Sequence, residues 1–379
     1  MRASVIILIS LAVCKAEAQS STLPIADSLY TLGNYTQAIN EYAKVGSKKS
    51  SLQIARAYNA IGNYDKAIVQ YENLVDQDSN QTVAHFELGK LYVKTKKVIK
   101  SQLVFERLIK KNKDNPEYFY YLGRSLQGQG KNKEGALSLK EAVALDSTHL
   151  RSLFQLGKFY VGLHEKNNAL KYIDKGLAFY PKDVALINLK ALAYFNNDEH
   201  EKAIPPFEEL IALGEHKQHI YRKLAHAYLK LWEFEKAKIN YKRLHEFDAA
   251  KGEALYGLGS VFWKEKQLDS AIVYIKKSIA EQDPILDKEY GALGRLSKLK
   301  HNIKASLEYY KKAYQEDTSN AIAYYQVCVL ADEYYKDSKV KLEYYERLLK
   351  KTGKEESYFS GFAKKRITEL KEEIHYAVD

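Results

Sequence analysis

Cysteine is nearly absent from this chain, because Cys14 and Cys328 are the only two among its 379 residues. Cys14 lies in an N-terminal segment that we expect to be removed, which would leave one thiol and exclude an intramolecular disulfide. Proline is scarce as well, with six residues, and no apolar run reaches the roughly 18 to 20 residues that a membrane-spanning helix needs. Packing of apolar side chains must therefore stabilise the fold, and a hydrophobic content of 46% is sufficient for a large core.

Motifs of the common enzyme classes are missing too. The sequence has no phosphate-binding P-loop, no Gly-x-Ser-x-Gly elbow and no His-Glu-x-x-His zinc motif. His216, His219 and His226 have spacings that allow a shared helix face, but no carboxylate or cysteine completes a metal-binding set. We therefore predict a protein that is not an enzyme and that requires neither a metal nor another cofactor.

The first eighteen residues have the pattern of a secretory signal peptide. Arg2 precedes an apolar run from Ala3 to Val13, and Ala16-Glu17-Ala18 supplies the small residues of a cleavage site. Cleavage there would leave Gln19 as the new N-terminus. We therefore expect export, to the periplasm of a Gram-negative bacterium.

Lipid attachment at Cys14 is the alternative way of processing this segment. The residues Leu11 to Cys14 resemble a bacterial lipobox, although Val13 is branched where that site requires a small residue. Ordinary cleavage predicts a soluble mature protein, whereas lipidation would attach it to a membrane.

The chain is basic, with a formal net charge of +11. Removal of residues 1–18 deletes two cations and one carboxylate and leaves +10. Such a charge attracts acidic partners over long distances. The sequence has no nucleic-acid-binding motif, and an exported protein rarely meets nucleic acid, so we predict acidic protein partners and no nucleic acid.

Small residues recur at a fixed step of 34 residues. The positions are Ala55, Gly89, Gly123, Gly157, Ala191, Ala225 and Gly259. Three residues after each of them stands a large side chain, namely Tyr58, Tyr92, Leu126, Tyr160, Tyr194, Tyr228 or Phe262. A spacing of three places the small and the large residue on one helix face, where the small one allows a neighbouring helix to approach. The ladder predicts one such helix in every unit.

A second ladder of small residues lies twelve positions after the first. Its members are Ala67, Ser101, Gly135, Ala169, Ala203, Ala237 and Ala271. Short polar turns such as Gly62-Asn63 and Gly130-Lys131 separate the two ladders, as in a tight helical hairpin. Each unit is therefore predicted to be a pair of helices.

This pattern resembles the tetratricopeptide repeat, most clearly from Phe86 to Tyr92 and from Phe154 to Tyr160, and Pro181 matches the proline that ends the repeat. The resemblance covers residues 19–352 in ten units, which begin near residues 19, 48, 82, 116, 150, 184, 218, 252, 287 and 321. It implies an all-α, right-handed superhelical solenoid that presents a binding surface to other proteins.

The two ends depart from the regular pattern. The first unit has only 29 residues, and the tenth carries Cys328 and Ala331 where glycine and tyrosine are usual. Terminal repeats have one unpacked face, and an amphipathic stripe near the C-terminus is suited to cover it. That stripe consists of Phe359, Phe362, Ile367, Leu370 and Ile374, and predicts a capping helix over residues 353–379.

Pro205 and Pro206 break a local rule, because they fall inside the second helix of the sixth unit. We favour a tolerated kink, since the 34-residue step continues on both sides. The alternative is a change of curvature that divides units 1 to 5 from units 6 to 10.

The resemblance implies that the first helix of each hairpin lines a concave groove. One residue after the first ladder the chain carries cations, and three residues before it aromatic rings, so each ring stands beside its cation. Exposed positions elsewhere are equally basic, so the pairing with aromatic rings is what marks the groove. The predicted partner site is Arg56, Phe86, Lys90, Tyr120, Arg124, Phe154 and Lys158, continued by Arg222, His226, Tyr256 and Arg295.

An extended acidic peptide could place carboxylates on the cations and apolar side chains on the rings of this stripe. The family's carboxylate clamp for chaperone tails is not matched, because Leu52, Arg56 and Lys90 stand at its positions. We therefore predict a non-catalytic scaffold of the cell envelope, with binding of an anionic glycan or lipid headgroup as the alternative. The sequence leaves open which cellular process the scaffold serves: secretion, envelope assembly, motility or polysaccharide handling. It also leaves the oligomeric state open.

Overall fold

The computed structural model describes residues 22–281, 285–352 and 358–376. The regular structure in these ranges is helical throughout, and they contain no strand. The predicted all-α class is therefore confirmed. The chain divides into two compact units, the first extending to Asn197 and the second beginning at Asp198.

The first compact unit is a series of helices joined by short turns. They are α1 (22–31), α2 (Tyr35–Val45), α3 (Lys48–Ala60), α4 (Tyr64–Gln77), α5 (Thr82–Lys94), α6 (Val98–Lys111), α7 (Pro116–Gly128), α8 (Asn132–Leu145), α9 (Leu150–Gly162), α10 (Lys166–Phe179) and α11 (Val184–Phe195). Side chains cap several of their N-termini: Asn63 accepts a hydrogen bond from the backbone N–H of Lys66, and Asp183 accepts one from that of Leu186.

The second compact unit continues in the same way. Its helices are α12 (His200–Ala212), α13 (Gln218–Lys230), α14 (Phe234–His245), α15 (Lys251–Lys264), α16 (Leu268–Ala280), α17 (Asp287–Leu299), α18 (Ile303–Glu316), α19 (Ala321–Tyr334), α20 (Ser338–Thr352) and α21 (Tyr358–Tyr376), with a short 3₁₀ helix at Asp248–Ala250. Helix α12 is a single helix that includes both Pro205 and Pro206.

The first ladder of small residues allows the two helices of a hairpin to touch. A Cβ atom on Gly89 would lie 2.7 Å from the Phe105 ring on the opposite helix, which is closer than real Cβ contacts. In the same hairpin the Ser101 hydroxyl donates a hydrogen bond of 2.9 Å to the Gly89 carbonyl. The predicted close approach at this position is confirmed, and it brings the members of the two ladders into direct contact.

Nine of the described turns that follow the first helix of a repeat contain one residue in the left-handed region of backbone conformation. These residues are Gly33, Gly62, Lys96, Gly130, His164, Asp198, Trp232, Lys266 and His301, with φ between 58° and 82°. They form a third ladder that keeps the 34-residue step from Gly62 to Lys266. Residues other than glycine rarely adopt this conformation, which costs them roughly 1–2 kcal/mol. At the positions that are not glycine, tertiary packing therefore stabilises a turn that sequence propensity alone does not favour.

The C-terminal helix α21 packs on the last hairpin. Ala363, Ile367 and Leu370 belong to one cluster of buried side chains with Cys328 and other residues of α18 to α20. Arg366 adds a two-pronged ion pair, because its Nε and Nη2 donate to the two carboxylate oxygens of Asp332 at 2.6 and 3.1 Å. The rest of the predicted capping segment lies outside the described residues.

The predicted signal peptide and Cys14 also lie outside the described residues. Within the described ranges, no helix has both the length and the apolar character needed to cross a membrane.

Candidate functional site

A long groove crosses three successive hairpins of the first compact unit. It is lined by the C-terminal ends of α5, α7 and α9 and by the turns that follow α5 and α7, and its volume is about 1490 Å³. These elements are equivalent positions of neighbouring repeats, so the 34-residue period brings their side chains to one surface. We call this surface the cationic groove.

The lining of the cationic groove is strongly positive. Its charged members are Lys94, Lys96, Arg124, Lys131, Lys133 and Lys158, against the single carboxylate of Glu134. Within the described part of the chain, none of the six cations forms an ion pair. Six like charges that lack paired counterions repel one another, and an anionic ligand would reduce this electrostatic repulsion.

Helix dipoles explain only part of this cluster. Lys94 lies in the last turn of α5, where a cation is favourable. Lys133, in contrast, lies in the first turn of α8, where a cation opposes the helix dipole. Lys96 and Lys131 lie in the turns between helices. The stability of single helices therefore does not account for the charge of this surface.

Apolar side chains stand between the cations. Val93, Val98 and Phe159 line the groove, and Leu163 lies at its edge with 48% of its surface exposed. A purely electrostatic surface needs no such contacts. The lining therefore suits a ligand that carries both anionic and apolar groups.

Two of the predicted site residues, Arg124 and Lys158, line the cationic groove. Arg124 donates a hydrogen bond of 3.2 Å to the hydroxyl of Tyr120, and Lys158 is exposed. The predicted ring and cation pairing is thus present at Tyr120, and it is present again where the Nζ of Lys90 lies 5.2 Å from the centre of the Phe86 ring.

The predicted rings do not line this groove. Tyr120 is only 6% exposed, and Phe154 packs against the buried cluster of α9 and its neighbours. Phe86 lies among the rings of Phe105, Tyr118 and Tyr121. These rings pack between adjacent helices, and Tyr120 and Phe154 line a separate cavity of about 270 Å³ together with Arg151. The stripe of rings and cations as a ligand surface stays a prediction.

The two other predicted cations of this unit lie near a carboxylate. Lys90 pairs with Glu87 at 3.5 Å. Arg56 donates a hydrogen bond of 3.2 Å to the Gln53 side chain and lines a separate, smaller cavity together with Glu87. They are less suited to bind an anion than the six cations of the groove.

In the second compact unit, the predicted site residues lie in different surroundings and do not line one common surface. The Nε of Arg222 donates to both carboxylate oxygens of Glu253, at 2.6 and 2.9 Å, so this charge is balanced within the fold. His226 packs edge-on against His200, and burial lowers the pKa of both rings. Tyr256 and Arg295 line a cavity of about 480 Å³.

No group of three or more metal-ligating side chains comes together within the described ranges. Of the three histidines considered from the sequence, His216 instead contacts the Tyr221 hydroxyl through Nδ1 at 2.6 Å.

Sequence reasoning missed Lys94, Lys96, Lys131 and Lys133. The sequence does contain a signal for this cluster, because pairs of lysines recur at successive turns. Lys94 and Lys96 lie at one turn, and Lys131 and Lys133 lie at the turn of the next repeat. The direction of these side chains depends on the left-handed turn residue, which hydrophobic periodicity does not report.

Comparisons with known proteins agree with the repeat architecture. A family model described as "TPR repeat" matches residues 55–96, and another described as "Tetratricopeptide repeat" matches residues 252–282. The "TPR repeat-containing protein YpiA" of Bacillus subtilis (strain 168) is 22% identical over 162 residues. This similarity covers 43% of the present chain and 38% of the length of that relative.

Several solved structures are also similar. A tetratricopeptide repeat protein from Parabacteroides merdae has a TM-score of 0.45 at 15% identity, covering 69% of this chain and 98% of that one. The C-terminal part of a TPR repeat-containing protein from Cytophaga hutchinsonii has a TM-score of 0.47 at 18% identity, covering 73% and 99%. MamA from Desulfovibrio magneticus RS-1 has a TM-score of 0.41 at 17% identity, covering 44% and 96%. The chain is thus a series of helical hairpins in which the family models identify tetratricopeptide repeats at residues 55–96 and 252–282.

Proposed function

We propose that this protein is a non-catalytic scaffold that holds an acidic segment of a partner protein in the cationic groove. The observation that carries the proposal is the set of six cations without ion pairs, facing one carboxylate, along a surface of three repeats. Repeat proteins of this architecture use extended surfaces of several units to bind other proteins.

The apolar side chains of the groove favour a polypeptide over a simple polyanion. Val93, Val98 and Phe159 offer contacts that the sulfates or phosphates of a glycan or lipid headgroup cannot use. An acidic peptide with interspersed leucine or phenylalanine satisfies both parts of the lining, with carboxylates on Arg124 and Lys158.

Reversing two charges of the groove should abolish this binding. The probe is a fluorescent peptide of about twelve residues that alternates glutamate with leucine and phenylalanine, a length that spans several repeats in extended form. Arg124→Glu combined with Lys158→Glu should weaken its binding at least about a hundredfold, because two attractions become repulsions. Fluorescence anisotropy at low ionic strength measures the affinity.

The matched control is Lys110→Glu with Lys182→Glu. These residues lie outside the groove and are exposed, so the variant has the same net charge as the test variant. It should bind the peptide within about threefold of the parent, since only long-range attraction is reduced. Equal losses in the two variants would show a general charge effect and would contradict the proposed site.

A peptide of glutamate alone separates the peptide from the polyanion interpretation. Its binding should collapse as the salt concentration rises, whereas the mixed peptide should keep part of its affinity through its apolar contacts. If both peptides respond identically to salt, the groove is a polyanion site for a glycan or lipid headgroup.

We further propose that the scaffold acts in the cell envelope, on the basis of the signal-peptide pattern in residues 1–18. Expressed in a Gram-negative host, the full chain should yield a periplasmic form that begins at Gln19. A full-length chain that stays in the cytoplasm would contradict the proposal, and a lipid-modified chain beginning at Cys14 would establish the membrane-attached alternative.

A further inference from the structure

The second compact unit contains a cavity of its own, which the cationic groove does not include. It has a volume of about 480 Å³ and is lined by parts of α15, α17, α18 and α19. This size falls in the range of about 300–1,000 Å³ typical of ligand pockets. We call it the Gly291 pocket.

The pocket exists because a glycine replaces a bulky residue. Gly291 stands at the repeat position that carries Phe86, Phe154 or Tyr256 in other repeats. A Cβ atom built on Gly291 would meet no other atom within 4 Å, so the missing side chain leaves open space. The ring that these three repeats carry is absent here, and a ring from outside can take its place.

Part of the pocket wall is aromatic and apolar. Trp263 and Tyr256 come from α15 and Tyr310 from α18. Ile322 of α19 also lines the pocket and keeps 63% of its surface exposed. Exposed apolar side chains around an open cavity are typical of a site where a partner inserts an anchoring side chain.

The polar groups of the pocket favour a negative charge at its entrance. The Arg295 guanidinium lies 5.0 Å from the centre of the Trp263 ring, where stacking holds it in place without neutralising it. Lys288 is exposed beside it. The nearby carboxylate of Asp287 accepts a hydrogen bond of 3.1 Å from Asn320 and is thus already engaged within the fold.

We propose that the Gly291 pocket binds an aromatic side chain of a partner polypeptide, with a neighbouring carboxylate of the same segment on Arg295. The ring occupies the place that Phe86 or Tyr256 fills in other repeats, and the carboxylate forms a charge-assisted hydrogen bond with the guanidinium. This site is separate from the cationic groove and does not depend on the function proposed for it.

Trp263 provides a direct signal for this binding. The chain has two tryptophans, so Trp232→Phe leaves Trp263 as the single tryptophan, which can be excited selectively over the tyrosines. The Trp232 ring is 63% exposed, so its replacement should not disturb the core. In this full-length background, a capped peptide with one phenylalanine flanked by glutamates should change the Trp263 emission in a saturable way. Peptides with alanine for phenylalanine, or glutamine for glutamate, should bind at least about tenfold more weakly.

Gly291→Phe should abolish the saturable response, because the new ring occupies the pocket from within. Gly291→Ala should keep it, since a methyl group leaves most of the cavity open. Arg295→Gln alters an exposed side chain. It should weaken the binding of the glutamate peptide at least about tenfold and leave the binding of the glutamine peptide unchanged. Circular dichroism monitors the fold of each variant, and Arg295→Gln remains decisive if Gly291→Phe does not fold.

Several results would overturn the proposal: no saturable change in the parent, undiminished binding by a folded Gly291→Phe variant, or no effect of Arg295→Gln. Phenylacetate offers the same ring and carboxylate without a peptide backbone, so binding as tight as that of the peptide would refute the assignment to a polypeptide. The Arg124→Glu, Lys158→Glu variant should retain the Trp263 response, which separates failure of this site from failure of the cationic groove.

Discussion

Replacing Gly123 by alanine should lower the free energy of unfolding by about 2 kcal/mol, although alanine is the better helix former. A Cβ atom at this position would lie 2.8 Å from Cγ of Leu139 and 2.9 Å from the backbone oxygen of Gly135. The backbone oxygen belongs to the facing helix and cannot rotate away as a side chain can. The two helices of the hairpin must therefore separate, and the buried contacts around Leu139 are lost.

The same substitution at Gly291 provides the matched control. Gly291 lies inside α17, and a Cβ atom there meets open space. Alanine should therefore stabilise the protein by up to about 1 kcal/mol through its helix propensity. Urea unfolding followed by circular dichroism measures both changes. Equal effects of the two substitutions would show that close helix approach does not decide which repeat positions must be small.

Replacing Asp332 by asparagine should destabilise the C-terminal helix by about 3 kcal/mol, the lower end of the effect of breaking a buried ion pair. Asp332 accepts two hydrogen bonds from Arg366 and lies 3.2 Å from the Nζ of Lys341. Its side chain is 19% exposed, and those of Arg366 and Lys341 are 21% and 16% exposed. An amide leaves Lys341 without its ion pair and leaves Arg366 only the more exposed carboxylates of Glu369 and Glu373.

Hydrogen exchange identifies where the stability is lost. The amides of α21 should lose protection in Asp332→Asn, while those of α5 to α9 should stay unchanged. Glu343→Gln is the control, because Glu343 pairs with Arg347 on the surface with side chains 68% and 66% exposed. It should change stability by no more than about 0.5 kcal/mol. Loss of protection throughout the chain in Asp332→Asn would contradict a local role for this pair.

The same carboxylate makes the docking of α21 sensitive to acid. Burial acts to raise the pKa of Asp332, but the hydrogen bonds from Arg366 and Lys341 outweigh it and hold that pKa below its ordinary value. A lowered pKa means that the carboxylate contributes its full stability above the unfolded-state pKa of about 3.9, and loses it as the pH falls through the lower folded-state value. The difference in stability between the parent and Asp332→Asn should therefore shrink below about pH 4.

The repeat pattern was sufficient to predict the hairpins because their contacts are local and recur. Gly89 and Phe105 belong to one hairpin, and the same pair of positions repeats every 34 residues. The pairing of Asp332 with Arg366 could not be predicted in this way. It involves the nonrepeating C-terminal helix, and the sequence offers many other carboxylates that Arg366 could have joined.

The candidate site was predictable only in part, for a related reason. Arg124 and Lys158 follow directly from the ladder of small residues, and both line the groove. Tyr120 was predicted beside them as a ligand contact; its ring packs between helices and does not line the groove, so that contact stays a prediction. The spacing of residues along one helix predicts the face on which a side chain lies. It does not predict how deeply that face is buried against the neighbouring helices.

The left-handed turn residues have a further consequence for how such a protein can change. Lys96 and Gly130 occupy equivalent turns and both border the cationic groove, although one carries a long charged side chain and the other carries none. The backbone thus accepts either residue at a position that borders the cationic groove and lies outside the core. Exchange of glycine for lysine or histidine there alters the chemistry of recognition at a conformational cost of roughly 1–2 kcal/mol. The turns are therefore sites where binding specificity can diverge between repeats while their architecture is preserved.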